Sequence, residues 1–190
     1  MTEAIHDRFV EALQDRLSRL VVGHALKAGT QIGPVVNQTQ LDQGLQYIAI
    51  GCEDGAHLTF GGQRLECGHE GFYLQPALFT QATANMRICR EEIFGPVAAV
   101  IRVKNYDEAL VTINDAEFGL CAGICTASLK FATHFKRHAA AGMVTVILPT
   151  AGVDYHVPFG SRKGSSYGSR EQGRYATEFC TSVKTAYTAP

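Results

Sequence analysis

The sequence predicts an α/β fold: a mostly parallel sheet flanked by helices, followed by a C-terminal oligomerisation strand. Three observations predict it. Amphipathic stretches with helical spacing alternate with short apolar runs along the chain. Two of those runs, residues 97–103 and 143–148, are nearly continuous in β-branched and small apolar side chains, the pattern of strands covered on both faces. Third, 190 residues suffice for one domain that buries roughly 70% of its unfolded surface.

Taken in order, Ile5, Phe9, Leu13, Leu17 and Leu20, with Val10 beside them, recur at helical spacing. They predict an amphipathic helix over residues 3–21, with Asp7, Arg8, Glu11, Asp15, Arg16 and Arg19 mostly on its other face. Gly23 and Gly29 open a loop that runs through Gly33-Pro34, after which Leu41, Leu45, Ile48 and Ala49 predict a second helix. Gly44 is its weak point, since glycine costs about 1 kcal/mol inside a helix. Residues 56–60 predict a short strand closed by Gly61-Gly62, and residues 65–71 a polar loop. Residues 73–79 predict another strand, which Pro76 confines to an edge or bends. Gly95-Pro96 is a rigid turn that delivers the chain into the strand at residues 97–103.

In the second half, residues 105–114 predict a short helix with Asp107-Glu108 in its first turn, where negative charge suits the helix dipole. Residues 119–126 form a small-residue strand. Ser128 caps a helix carrying Leu129, Ala132, Phe135 and Ala139 on one side, and Gly142 stops it before the strand at residues 143–148. Residues 158–173 mix Gly160, Gly164, Gly168 and Gly173 with serines, Arg162, Lys163 and Arg170, the composition of a flexible basic loop. Phe179, Thr181, Val183 and Tyr187 are β-formers and predict a terminal strand over residues 177–187 without a partner in its own core. Such an edge is blunted by charge, here Lys184, or pairs with another chain.

Composition excludes several function classes. With 17 basic and 18 acidic residues there is no electrostatic footprint for nucleic acid or anionic membrane. No apolar run reaches membrane-spanning length and residues 1–8 are polar, so a cytoplasmic protein is expected. Cys52, Cys67, Cys89, Cys121, Cys125 and Cys180 are scattered without metal-ligand spacing and are expected to be free thiols. Asn37-Gln38-Thr39 is formally a glycosylation sequon and carries no weight without secretion. There is no G-x-G-x-x-G, and in residues 160–165 the lysine precedes the glycine, against the phosphate-loop order. His134 and His138 share a helix face, but Phe135 stands where a zinc protease carries glutamate, so both are surface histidines and no metal is expected. Cys121 and Cys125 are small buried hydrophobes by spacing, and only Cys89 has cationic sequence neighbours, Arg87 and Arg90.

The stretch Arg87-Ile88-Cys89-Arg90-Glu91-Glu92-Ile93-Phe94-Gly95-Pro96 places two carboxylates and an aromatic ring on a fixed loop beside a core strand. Glu92 and Phe94 are then either groups held toward a ligand, or a solvated acid and a core phenylalanine.

Glu-Glu-Ile-Phe-Gly-Pro resembles the signature hexapeptide of the aldehyde dehydrogenase superfamily. Further segments are similar in the same order: residues 5–9, 29–35, 118–120, 122–124 and 158–160. Residues 148–160 most resemble the group acting on semialdehydes such as 2-oxoglutarate semialdehyde. The resemblance implies a partial catalytic domain at residues 1–174 and an oligomerisation strand at 175–190. It implies chemistry in which a cysteine thiolate attacks an aldehyde, hydride passes to NAD or NADP, and a glutamate activates water. It assigns Glu92 to the nicotinamide ribose, whose neighbouring hydroxyls a carboxylate can both accept from, and Phe94 to the nicotinamide ring. Val153, Asp154, Tyr155, His156 and Phe159 match the wall of the substrate tunnel. The nucleophilic cysteine and the cofactor domain are expected to precede residue 1, which leaves no catalytic residue and no tight cofactor binding in this chain alone. Ile147 stands where the family usually has asparagine, Ser161 replaces a glycine, and residues 24–28 lack an acidic, proline-containing turn, as in a truncated or decayed chain. Two functions follow: a fragment of an NAD(P)-dependent semialdehyde dehydrogenase, inactive alone, or a non-catalytic module that joins related oligomers through its terminal strand. Expected partners are further copies or full-length family members, with an aldehyde as the intact enzyme's substrate.

Overall fold

The computed structural model describes residues 1–189, and the chain falls into two units, residues 1–109 and residues 110 onward. In the first, helix α1 (Glu3–Ser18) turns His6, Val10, Leu13 and Leu17 inward. His6 is only 5% exposed, whereas Ile5 and Phe9 are 46% and 37% exposed. The covered stripe is therefore rotated by one residue from the one the apolar spacing predicts. Helix α2 (Gln38–Glu53) begins where the Asn37 side chain accepts a hydrogen bond from the Gln40 N–H at 2.9 Å, so the formal sequon is an N-cap. Leu41, Gly44, Ile48 and Gly51 form its buried stripe.

Those two glycines set how closely the sheet approaches. A Cβ on Gly44 would stand 2.7 Å from Leu74 Cδ2, and one on Gly51 would stand 2.9 Å from the Phe79 ring. The helix gives up propensity at Gly44 in exchange for close packing.

Strand β1 (His57–Phe60) is followed by β2 (Arg64–Leu65), β3 (Tyr73–Leu74) and β4 (Ala77–Ala82). Pro76 divides β3 from β4, so the single strand expected at residues 73–79 is two. After the short helix α3 (Arg87–Arg90) comes β5 (Val97–Ile101), then helix α4 (Tyr106–Asn114). One sheet has the order β1-β4-β5, with β4 antiparallel to β1 and parallel to β5, while β2 and β3 form an antiparallel pair. Leu41, Ile48, Leu74, Phe79, Ile88 and Ile93 are buried together in one core cluster. Ile88 and Ile93 thereby anchor both ends of the glutamate loop in that core.

The second unit holds β6 (Phe118–Gly119), β7 (Cys121–Ile124), helix α5 (Leu129–His138), β8 (Met143–Val146) and β9 (Arg162–Lys163). A 3-10 turn (Gly173–Tyr175) then leads into helix α6 (Ala176–Cys180). β7 and β8 pair in parallel, β6 and β9 antiparallel. The Ser128 hydroxyl accepts from the Phe131 N–H at 3.3 Å, capping α5 as its sequence predicts. Asn114 bridges the end of α5, donating to the His138 carbonyl at 2.8 Å and accepting from the Ala140 N–H at 2.7 Å.

The α/β class stands, with corrections. The sheets are mixed in direction, because β1, β2 and β6 pair with antiparallel neighbours. β5 is not covered on both faces: Ala98 is exposed and only Val100 is fully buried. Leu129 is 80% exposed at the start of α5. Cys125 is exposed, because it lies one residue beyond the end of β7. The basic loop is pinned by its own cations: Arg170 donates to the Gly160 carbonyl at 2.8 Å, and Lys163 Nζ to the Asn114 and Ala116 carbonyls at 2.7 and 2.8 Å. The first part of the strand expected at residues 177–187 is helix α6 instead, and residues 181–189 have no ladder partner among the described residues, as expected of a segment without a neighbour in its own core. All six cysteines are free. Among the described residues no helix is long and apolar enough to cross a membrane, and no group of three or more metal-ligating side chains occurs.

Candidate functional site

The loop between α3 and β5 separates its two adjacent carboxylates into different roles. Glu91 is committed: Arg87 Nε and Nη2 donate to its two oxygens at 2.8 and 2.9 Å, and the Tyr47 hydroxyl donates to Oε2 at 2.6 Å. The charged hydrogen bonds from Arg87, and then the one from Tyr47, hold the Glu91 carboxyl down at about 2. Glu92 is exposed, and its carboxylate has no hydrogen bond or ion pair among the described residues. Both of its oxygens are available to accept.

Two residues on, Phe94 breaks two local rules at once. Its ring is 78% exposed, and its backbone is left-handed, with φ of 56°, a region a bulky side chain adopts only under constraint. The constraint comes from α2. Gln40 Nε2 donates to the Ile93 and Phe94 carbonyls at 3.0 and 3.1 Å, and Gln43 Nε2 donates to the Ile93 carbonyl at 3.0 Å. With Ile93 buried at 8% exposure, the chain on either side of Phe94 is fixed while its ring stays outside. Gln40, Gln43, Tyr47 and Arg87 are site residues that sequence reasoning missed. The spacing 40, 43, 47 puts the first three on one face of α2, a polar stripe beside the buried Leu41, Gly44 and Ile48.

The other expected site residues lie in the second unit. Val153 is half-buried, Asp154, Tyr155 and His156 are exposed, and Phe159 is half-buried. The segment turns at Asp154, whose carbonyl accepts from the Val157 N–H at 3.2 Å. Phe159 and Glu171 exchange both backbone hydrogen bonds, at 2.7 and 2.8 Å, and the Gly173 N–H donates to the Tyr155 carbonyl at 3.3 Å. The Tyr155 ring is 85% exposed and meets the His156 ring edge-on at 5.5 Å. These five side chains line one braced loop, from which the Tyr155 ring projects into solvent. Glu92 and Phe94 belong to the first unit and these five to the second.

Burial pushes the Cys89 thiol up despite Arg90 nearby, and burial pushes Cys121 up as well. His134 and His138 are exposed on α5 with their rings stacked at 3.9 Å, as surface histidines.

The aldehyde dehydrogenase family model matches residues 1–186. The chain belongs to the aldehyde dehydrogenase family. Among its relatives, the alpha-ketoglutaric semialdehyde dehydrogenase of Bacillus subtilis is 43% identical over 188 residues, which is 98% of this chain and 38% of the relative. The alpha-ketoglutarate semialdehyde dehydrogenase of Haloferax volcanii is 41% identical over 97% of this chain and 39% of its own length. In structure, HpcC of Thermus thermophilus superposes with a TM-score of 0.88 and 34% identity, over 100% of this chain and 38% of that one. An NAD+ complex of an aldehyde dehydrogenase from Bacillus cereus matches with a TM-score of 0.86 and 31% identity, over 92% and 35%. The chain thus spans 38% and 39% of the two curated relatives. As a piece of an aldehyde dehydrogenase, it carries the hexapeptide loop on the same fold as enzymes crystallised with NAD+.

Proposed function

We propose that these residues supply part of the active site of an NAD(P)-dependent aldehyde dehydrogenase acting on a semialdehyde. The observation that carries this reading is the loop geometry: Glu91 is tied down, while Glu92 keeps an uncommitted carboxylate beside the exposed, conformationally constrained ring of Phe94. A carboxylate with both oxygens open suits the two neighbouring hydroxyls of a ribose, and an exposed ring suits the flat face of a nicotinamide. NAD or NADP would supply the hydride acceptor.

What the chain's own residues do is bind and orient. Glu92 would hold the ribose, Phe94 would limit where the nicotinamide sits, and Val153, Asp154, Tyr155, His156 and Phe159 would wall the aldehyde path. The names of the Bacillus and Haloferax relatives support a 2-oxo-dicarboxylate semialdehyde as substrate class. These residues by themselves are inactive on this reading, and burial, which pushes the Cys89 and Cys121 thiols up, works against a nucleophilic thiolate at either. Residues 1–174 then belong to the catalytic domain. Residues 175–190, including Val183 and Tyr187 at 98% and 95% exposure, serve subunit assembly by pairing with the sheet of another family chain. Six free thiols suit the reducing cytoplasm. The alternative of a non-catalytic module that joins related oligomers through its terminal strand has no support from the named relatives, which are aldehyde dehydrogenases.

The test is a hybrid in which these residues replace their counterpart in the Bacillus subtilis relative. Glu92→Gln should weaken cofactor binding about tenfold, or ~1.4 kcal/mol, since hydrogen bonds to a charged acceptor are worth about 1.5–3 kcal/mol and the amide retains part of that. Unchanged cofactor affinity, with any effect confined to melting temperature, would refute the reading.

A further inference from the structure

The network behind the glutamate loop is larger than a surface ion pair requires. Arg87 grips both oxygens of Glu91, the Tyr47 hydroxyl donates to one of them, and the Arg87 guanidinium lies 5.8 Å from the Tyr47 ring centroid. The Arg87 N–H also donates to Asp54 Oδ2 at 3.0 Å, at the C-cap of α2. Side chains of Glu91 and Arg87 are 39% and 52% exposed, so water screens the pair and it adds little to global stability. Its geometric effect is larger: α3 and Glu91 are tied to α2 on one side of Glu92, while Gln40 and Gln43 tie Ile93 and Phe94 to the same helix on the other.

We propose that Glu91 is a positioning residue: with Tyr47 and Arg87 it fixes the backbone from which Glu92 and Phe94 project, and does not itself meet the ligand. This rests on reading Glu92 and Phe94 as the cofactor contacts. Holding those groups before binding removes an ordering cost that binding would otherwise bear, which is how a weakly stabilising network serves a site. The pairing also explains why two adjacent glutamates are not interchangeable. The first has its oxygens filled by Arg87 and Tyr47, the second has them open.

Backbone 15N relaxation on the 190-residue chain tests this. In the wild type, residues 92–95 should have order parameters near those of the rigid backbone, about 0.85. Glu91→Ala and, independently, Tyr47→Phe should lower them toward about 0.6 or below, with β4, β5 and the melting temperature nearly unchanged. Glu91→Gln, which keeps one acceptor oxygen, should fall between. Unchanged order at residues 92–95 in Glu91→Ala would overturn the proposal, since the two glutamines alone would then fix the loop. A loss of order spread across α2 and β5 with a lowered melting temperature would also overturn it, by making the network a plain structural strut. Glu92→Gln should leave loop order untouched. If it also leaves cofactor affinity untouched in the hybrid enzyme, the ligand reading fails while the loop measurement still decides the role of Glu91.

Discussion

Replacing Ile147 by asparagine should stabilise the second unit. Ile147 has φ of 56°, a left-handed conformation that a β-branched side chain adopts with strain, and its side chain is 64% exposed. Left-handed backbone costs an ordinary residue about 1–2 kcal/mol, and asparagine tolerates it because its short polar side chain bonds locally. Burial offsets part of the gain. Full burial of an isoleucine is worth about 1.5–3 kcal/mol, and with only about a third of the side chain covered the loss is about 0.5–1 kcal/mol. The net expectation is a gain of about 0.5–1 kcal/mol, which raises the melting temperature by about 1–4 °C for a chain of this size. Calorimetry on wild type, Ile147→Asn and Ile147→Val separates strain from side-chain chemistry, because valine keeps the strained backbone and loses a methylene, so it should melt lower. The backbone contact at this point, Ile147 N–H to the Ile124 carbonyl at 2.9 Å, is available to all three. A lower melting temperature for the asparagine variant than for valine would refute the strain account.

Phe94→Gly should change stability by less than about 1 kcal/mol, because relief of left-handed strain balances the entropy of a glycine and the small buried part of a ring that is 78% exposed. By contrast Phe79→Ala, at 0% exposure, should cost about 3–5 kcal/mol in the same denaturation assay. Tyr73→Phe should stabilise by about 1 kcal/mol in denaturant titration, since the Tyr73 hydroxyl is buried with no hydrogen-bond partner among the described residues and such a group costs about 1–3 kcal/mol. The Glu91 carboxyl, held at about 2 in the folded state, binds its proton less readily there than in the unfolded chain, where about 4.3 is normal. Its contribution is therefore complete above about pH 4.5 and disappears as pH falls through about 2. The difference between wild type and Glu91→Gln, followed by loop order, should be flat above pH 5, shrink toward pH 2, and be smaller at high salt.

Much of the fold was legible because local rules and tertiary structure agree over long stretches. Ser128 as a cap, the short helix after Asn105 and the β-branched run from Met143 each read correctly from a few residues. The misreadings share a cause, which is that period and propensity say nothing about what covers an element. Ile5 and Phe9 fit the apolar stripe of α1, yet His6 is the residue covered. Phe179, Val183 and Tyr187 favour a strand, but a strand exists only with a neighbour, and α6 forms where local hydrogen bonds are the ones on offer. The candidate site was half legible. The hexapeptide marked Glu92 and Phe94, while Gln40, Gln43 and Tyr47 stand some fifty residues earlier and become site residues only when α2 packs behind the loop.

Phe94 and Ile147, two of the five described non-glycine residues with a left-handed backbone, share a φ of 56°, and their surroundings distinguish them. At Phe94 the violation is actively maintained: three carboxamide hydrogen bonds hold the carbonyls of residues 93 and 94, Ile93 is buried, and the neighbouring glutamate is clamped. Such compensation is what a site requires when a group must be presented against its own preference. Ile147 has one backbone hydrogen bond of its own and an exposed side chain, with asparagine usual at this position in the family it resembles. Strain that is held by its neighbours points to function, and strain that is merely tolerated points to a substitution the fold has survived. On that basis the first should resist stabilisation by mutation without loss of ligand contacts, and the second should be relieved with none.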